Sequence, residues 1–352
     1  MAMFGGAPKE FLESDFPEPE VINPRSVPSL RWGILGAGDI AEVFADTVSK
    51  NTTQQIVAVA SKTTGKGASF AARFGIPRTY TRYEDLVADG DVDAVYVATL
   101  PHTHKADALL AIAAGKHVLI EKPTALLADD AEEIYSAARS AGVFAMEAMW
   151  SRYLPQASIL RQLVSSGTIG DIGVLQADFG QDNRTIDRLW IPGQSSIMHD
   201  MGIYPLSFAQ MLLGDPVSIS ATGSLHEGTS EEFASAVLEY DSGARAVITV
   251  SGKAHLPTLA SISGTLGVVL VDGPFFVPTG LELRPALFNA HGPRWVHAGP
   301  IQGHAGLCYQ VDHFAHYVSQ GLSQSPLHTH HDTVSVMRTG EEIRRQLGVH
   351  VG

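Results

Sequence analysis

The run from Arg31 to Ala41 constrains this chain more than any other stretch. Trp32 to Leu35 reads as a short buried strand, Gly36 and Gly38 as a turn that no side chain fits, and Ile40 onward as a helix. A strand–turn–helix of this kind lets the backbone approach a pyrophosphate, while the helix N-terminus offers free N–H groups and a positive dipole end. Gly36, Gly38, Asp39 and Ile40 are therefore candidate dinucleotide contacts, with Ala41 as the third small residue of the motif. Glycine turns between strands and helices are common. The match gains force from Glu121-Lys122-Pro123, a second pattern at a later strand end.

A length of 352 residues suits two domains, and 45% hydrophobic with 17% charged residues suits a sizeable core. The net charge of -13 disfavours nucleic acid and anionic membrane as partners, since both need a basic surface. Cys308 is the single cysteine, so no intramolecular disulfide is possible. No apolar run reaches bilayer length and the N-terminus lacks a signal pattern, so a cytoplasmic location is the expectation.

Residues 1–28 are rich in Pro, Glu and Gly, without periodicity, and read either as an extended arm or as a loose tail. From residue 29 to 150, apolar strand-like runs (Gln55–Ala60, Ala94–Thr99, His117–Ile120, Val143–Met146) alternate with helical patterns ending at Gly75, Gly115 and Gly142. That alternation predicts an α/β Rossmann domain, a doubly wound parallel sheet. From 151 to 352 strand candidates crowd together, with helices at Pro155–Ser165, His199–Leu213, Gln310–Gln320 and Asp332–Gln346. This predicts an α+β domain with a large, mostly antiparallel open sheet.

The end of the second strand selects the cofactor. Ser61-Lys62-Thr63-Thr64 stands there without a carboxylate for a ribose 2′-OH, and a hydroxyl beside a lysine suits a 2′-phosphate. NADP is preferred over NAD; the bland alternative is an exposed loop lysine. Thr99, Leu100, His102 and His104 leave a strand at its C-terminal edge, where open parallel sheets bind ligands. The two histidines have a spacing that a metal would accept, but nothing else supports one, and lining the cofactor crevice is the reading adopted.

Lys122 is the principal catalytic candidate, with Glu121 beside it as a possible contact to the nicotinamide ribose. A lysine near a cationic nicotinamide has its pKa pushed down, toward the range useful for proton transfer. Asp200 and Tyr204 are four apart and share one face of a helix, so both can reach one substrate. Each also has an ordinary reading, as a helix cap and a boundary aromatic. Trp150 is a candidate crevice wall or a core residue. The loop histidines His328, His330 and His331 read as a surface or interface feature.

Together these residues resemble the glucose–fructose oxidoreductase / inositol dehydrogenase (Gfo/Idh/MocA) family. The resemblance rests on Gly36–Ala41, Ala71–Pro77, Ala113–Pro123 and Asp200–Tyr204, and covers Leu30 to the end. Glu147–Tyr153 looks most like the branch of dimeric dihydrodiol dehydrogenase and related sugar dehydrogenases. The resemblance implies NAD(P) across the first domain, proton transfer assisted by Lys122, a catalytic Asp200, and Tyr204 where much of the family has histidine. It implies substrate contacts at Trp150 and Phe179, and a homodimer or higher oligomer formed through the outer face of the second sheet. The chain departs from the pattern at Ser195–His199, where the family usually has a glycine triplet; His199 is therefore an added polar group beside Asp200.

The expected function is hydride transfer between NADP(H) and a secondary hydroxyl of a sugar, cyclitol or dihydrodiol-like small molecule, with no metal. The alternatives are a catalytically silent NADP-binding regulator and a hydrolase or lyase that recycles its nicotinamide.

Overall fold

The computed structural model describes residues 9–350. Two sheets organise them. The first alternates strands and helices as its apolar runs demand: β1 (Arg31–Leu35), α1 (Asp39–Asn51), β2 (Gln55–Ala60), α2 (Lys66–Phe74), β3 (Arg78–Tyr80), α3 (Tyr83–Val87), β4 (Ala94–Val97), α4 (His104–Ala113), β5 (His117–Ile120), α5 (Ala128–Ala141) and β6 (Ala145–Glu147). The six strands are parallel in the order β3-β2-β1-β4-β5-β6. Strand order reverses at β1/β4, so a crevice opens beyond the C-terminal ends of those two strands. β3 escapes a reading by periodicity because it is a three-residue polar edge strand.

The second part runs α6 (Pro155–Ser165), β7 (Ile172–Gly180), α7 (Ile203–Leu213), β8 (Ser218–His226), β9 (Ser230–Glu239), β10 (Arg245–Ser251), β11 (Ala260–Gly264), β12 (Gly267–Val271), β13 (Leu281–Pro285), β14 (Arg294–Trp295), α8 (Leu307–Ser319) and α9 (His330–Gln346). Its eight strands form the order β14-β13-β12-β11-β7-β10-β9-β8, antiparallel except for the β7/β10 pair. One face, carrying Leu175, Ala236, Ile248 and Ile262, packs on α6 and α7 in a single apolar cluster. The opposite face is half exposed, with Val174, Val237, Val247 and Leu270 among its residues.

The last two helices return to the first sheet. Phe314 of α8 packs against Trp32 and Phe144, and Val334 and Met337 of α9 join the cluster containing Ile134 and Ala138 of α5. The C-terminal helices thus contribute to the core of the first sheet as well as to that of the second. Residues 9–28 lie along their own chain: Phe11 is buried in the second core, Glu20 N–H donates to Ser158 Oγ at 2.9 Å, and Gln54 Nε2 donates to Pro28 O at 3.0 Å. Residues 1–8 lie outside the described residues. Among the described residues no helix is long and apolar enough to cross a membrane.

Two readings of the sequence are corrected here. The helix expected from His199 begins as a π-helical turn, Met198–Gly202, and becomes regular α7 only at Ile203. The extra residue in that turn re-aims the side chains around Asp200. The histidines near the C-terminus are not a surface feature as a group. His328 and His330 are buried, and only His331 is exposed, where it meets Asp215 at 2.6 Å.

Candidate active site

A cleft of about 700 Å³ runs from the β1–α1 turn to the N-terminal end of α7. Gly36 begins it with φ +98°, and a Cβ there would collide with the Ala98 carbonyl. Only glycine lets β1 and β4 part so closely at this point. Gly38 caps α1 with no side-chain partner, and a Cβ on it would meet open space. The backbone N–H groups at the start of α1 thus face the cleft, as an anion requires. Gly36, Gly38, Asp39, Ile40, Ser61, Lys62, Thr99 and Leu100 all line this end.

This end of the cleft holds a carboxylate that local sequence does not announce. Asp107 of α4 lies 3.8 Å from Lys62 Nζ and accepts from Thr99 Oγ1 at 2.8 Å. Lys62 also rests on the Tyr83 ring, 4.1 Å from its centroid. Lys66 and Thr63 complete the rim. The two histidines part company. His104 lines the cleft and is buried, its Nδ1 donating to Pro123 O at 2.8 Å, and burial lowers its pKa. His102 is exposed and absent from the cleft wall, because the Pro101–Thr103 turn points it outward before α4 begins.

At the other end Lys122 Nζ donates to Asp200 O at 2.8 Å and to Asp200 Oδ1 at 3.0 Å. Its ammonium stands 5.0 Å from the centroid of the Tyr204 ring. Burial disfavours the lysine's charge, but Asp200, Tyr204 and Glu121 outweigh it, and the net direction of its pKa is upward. The downward push expected from sequence concerned the ring of a bound nicotinamide; the protein's own groups act the other way. Burial raises the Asp200 pKa, but Lys122 and Arg188 reverse this, so the aspartate titrates below its ordinary value. Burial lifts the Tyr204 phenol above its ordinary value against the opposing pull of Lys122. The resting site is therefore an ion pair beside a neutral phenol.

Glu121 sits behind them, fully paired: Tyr96 Oη–H donates to Oε1 and Lys122 N–H to Oε2 at 3.1 Å. Trp150 lines the cleft, donating from its indole N–H to Tyr204 Oη at 3.1 Å and stacking on His304 at 5.6 Å. Phe179 is one layer back, against Tyr204 at 5.8 Å and Phe276 at 4.7 Å, and does not line the cleft. His199 also turns away. Its Nε2 donates to Leu126 O at 3.1 Å, Ser196 Oγ–H donates to its Nδ1 at 3.2 Å, and burial holds its pKa at about 4. It is a neutral structural residue one position from Asp200, aimed at a different cavity.

Two further cleft residues, both at the lysine end, were not anticipated from the sequence. Arg188, in the 3-10 turn Asp187–Leu189, donates to Asp200 Oδ2 at 3.3 Å. His304 lies in the Gly303–Gly306 turn before α8. Neither belongs to a periodic segment or a motif. Among the described residues there is no group of three His, Cys, Asp or Glu placed to hold a metal ion.

A parallel sheet with a glycine turn at its switch point, and a lysine–aspartate–tyrosine cluster at the far end of one cleft, define a dinucleotide-dependent oxidoreductase. Residues 30–149 match the oxidoreductase family with NAD-binding Rossmann fold, and residues 158–270 the GFO/IDH/MocA C-terminal domain. The chain belongs to the Gfo/Idh/MocA family. It is 36% identical over 334 residues to trans-1,2-dihydrobenzene-1,2-diol dehydrogenase of Mus musculus, covering 91% of this chain and 98% of that protein. Among solved structures, aldose-aldose oxidoreductase from Caulobacter crescentus complexed with glycerol superposes with TM-score 0.79 at 26% identity, covering 91% of this chain and 97% of that one. Levoglucosan dehydrogenase in complex with NADH and levoglucosan shares the fold, with TM-score 0.81 at 19% identity and 91% and 98% coverage. The protein is a nicotinamide-dependent oxidoreductase acting on CH–OH groups.

Proposed function

We propose that the chain transfers hydride between NADP(H) and a secondary hydroxyl of a dihydrodiol or sugar, with Lys122, Asp200 and Tyr204 handling the proton. The observation that carries this reading is the lysine–aspartate pair beside a phenol, at the opposite end of the cleft from the glycine turn. A bound nicotinamide supplies the hydride acceptor or donor. Asp200, held ionised by Lys122 and Arg188, accepts a hydrogen bond from a substrate hydroxyl and so orients it. Tyr204 Oη accepts from Trp150, which leaves its own O–H free to point into the cleft. With a cationic ring in the cleft to lower its proton affinity, Tyr204 or Lys122 would release its own proton to solvent, and the phenolate or neutral amine so formed would take the proton of the substrate hydroxyl.

The preference for NADP rests on Ser61, Lys62 and Lys66 along one rim. Asp107 opposes it, and Lys62 must leave that carboxylate to meet a 2′-phosphate. The Tyr83 ring keeps the lysine near the site as it does so. A homodimer fits the half-exposed outer face of the second sheet, rich in valine, serine and threonine. Turnover with NADP+ and with NAD+ over trans-1,2-dihydrobenzene-1,2-diol, levoglucosan and glucose tests the reading. Reduced nicotinamide forming with at least one of them is expected; none forming, with dinucleotide bound, would overturn it.

A further inference from the structure

Behind the lysine lies a second buried cluster that the reaction above does not use. Glu147 ends β6, paired in register with Ile120 of β5, and its side chain is buried. Its Oε1 accepts the Thr124 N–H at 3.0 Å, two residues after Lys122. Its Oε2 has no hydrogen-bond partner and faces His328 Nε2 at 3.6 Å. His328 is buried too, its Nε2 lies 3.2 Å from Thr333 Oγ1, and its Nδ1 has no partner. A buried carboxylate oxygen without a donor is costly to keep charged, and a proton on that oxygen removes the charge.

We propose that Glu147 is a positioning residue for Lys122: as a neutral acid it accepts the Thr124 N–H and seats against His328 Nε2, setting the Lys122–Thr124 turn against the start of α9. The proton sits on Oε2, on the side that faces His328 Nε2 at 3.6 Å. His104 grips the same turn from the other side through Pro123 O. Lys122 is thus presented to Asp200 from a turn held at two consecutive residues.

Below about pH 7 the surroundings favour the neutral acid. Burial pushes the Glu147 carboxyl up to about 7 and the His328 imidazole far down. Of the groups facing the pair, Arg152 favours an ionised Glu147 and a neutral His328, while Glu121 opposes ionisation of Glu147. Tyr135 of α5 is uncharged and bonds Thr124 Oγ1, and His330 is held neutral by burial. Asp332 is turned to Arg152, at 3.8 Å.

The inference rests on the proposed role of Lys122, and its test separates the two. Glu147→Gln reproduces the neutral acid, one oxygen for Thr124 and an N–H for His328. Glu147→Leu keeps the bulk and loses the bond to Thr124. With NADP+ and trans-1,2-dihydrobenzene-1,2-diol or levoglucosan as probes, the glutamine variant should keep kcat within about twofold. The leucine variant should lose about ten- to a hundredfold in kcat, with the Kd for NADP+ within about threefold. Infrared difference spectra of the wild type should show a buried protonated-carboxyl band that Glu147→Gln removes. If the wild type turns over neither probe, the redox reading has failed. Crystal structures of the two variants then decide the positioning: Lys122 should stay on Asp200 in the glutamine form and leave hydrogen-bond reach in the leucine form. A tenfold loss in Glu147→Gln, an absent carboxyl band, or an undisturbed Lys122 in Glu147→Leu overturns the proposal. Should the leucine variant not fold, the glutamine variant and the band decide alone.

Discussion

Lys122 Nζ donates to two oxygens of Asp200, the backbone carbonyl at 2.8 Å and Oδ1 at 3.0 Å, joining the turn after β5 to the π-helical turn that leads into α7. A cation that binds both main chain and side chain of its partner fixes the partner's position as well as its charge. The second carboxylate oxygen is left to Arg188.

Removing the lysine should therefore damage chemistry more than cofactor binding. Lys122→Ala is expected to lower kcat by roughly a hundred- to ten-thousandfold. NADP+ titrated by quenching of tryptophan fluorescence should bind within a few-fold of wild type, since the glycine turn and the Lys62 rim are untouched.

Arg188 sets the acid limb of activity. It helps hold Asp200 below its ordinary pKa, and the aspartate must be ionised to orient a hydroxyl. In Arg188→Gln the Asp200 pKa rises, so the acid limb of kcat/KM should move to higher pH by up to about one unit. An unmoved limb would detach the arginine from the reaction.

On the proposed preference for NADP, Lys62 and Asp107 should tune the choice of dinucleotide in opposite directions. Lys62→Ala should weaken NADP+ by about tenfold, the loss of one charge-assisted contact, and leave NAD+ within about twofold. Asp107→Asn should tighten NADP+ by freeing the lysine. Equal effects on both cofactors would place the 2′-phosphate elsewhere.

Gly36 admits no replacement. Its φ of +98° and the Ala98 carbonyl against its Cβ position make Gly36→Ala cost about 2–4 kcal/mol. Thermal melts should show the loss, and the surviving folded protein should bind dinucleotide poorly because the turn must open.

Glu147 links stability to pH. Its folded pKa, about 7, lies above the ordinary value of 4.5. Its contribution is then fully present below about pH 4.5 and is lost as pH rises through about 7. Glu147→Gln does not titrate, so its melting temperature should gain on wild type between pH 5 and pH 8, with a free-energy difference on the order of 2–3 kcal/mol. Asp312, also buried and raised to about 7, adds the same slope to both proteins and cancels in the comparison.

The parts of the site that sequence made legible are those carried by local pattern. Gly36 and Gly38 punctuate a strand–helix junction, Lys122 stands at a strand end before proline, and Asp200 and Tyr204 keep a helical spacing; all five line the cleft. What was hidden depends on distance in space. Arg188 and His304 sit in isolated turns with no period, and Asp107 reads as one more acid on a helix. His102 and His104 differ by two residues, yet a 3-10 turn sends one outward and buries the other. His199 adjoins Asp200 but a π-helical turn aims it at Leu126. His328 and His330, in a polar loop by composition, are covered because α9 folds back onto the first sheet.

The central claim is that one dinucleotide spans the cleft from Gly36 to Lys122 and exchanges hydride beside the lysine–aspartate pair. The most direct measurement follows the absorbance of reduced nicotinamide with NADP+ and trans-1,2-dihydrobenzene-1,2-diol, in wild type and Lys122→Ala at matched cofactor saturation. The account predicts turnover in the wild type and its near abolition in the variant. Equal rates in the two proteins would contradict it.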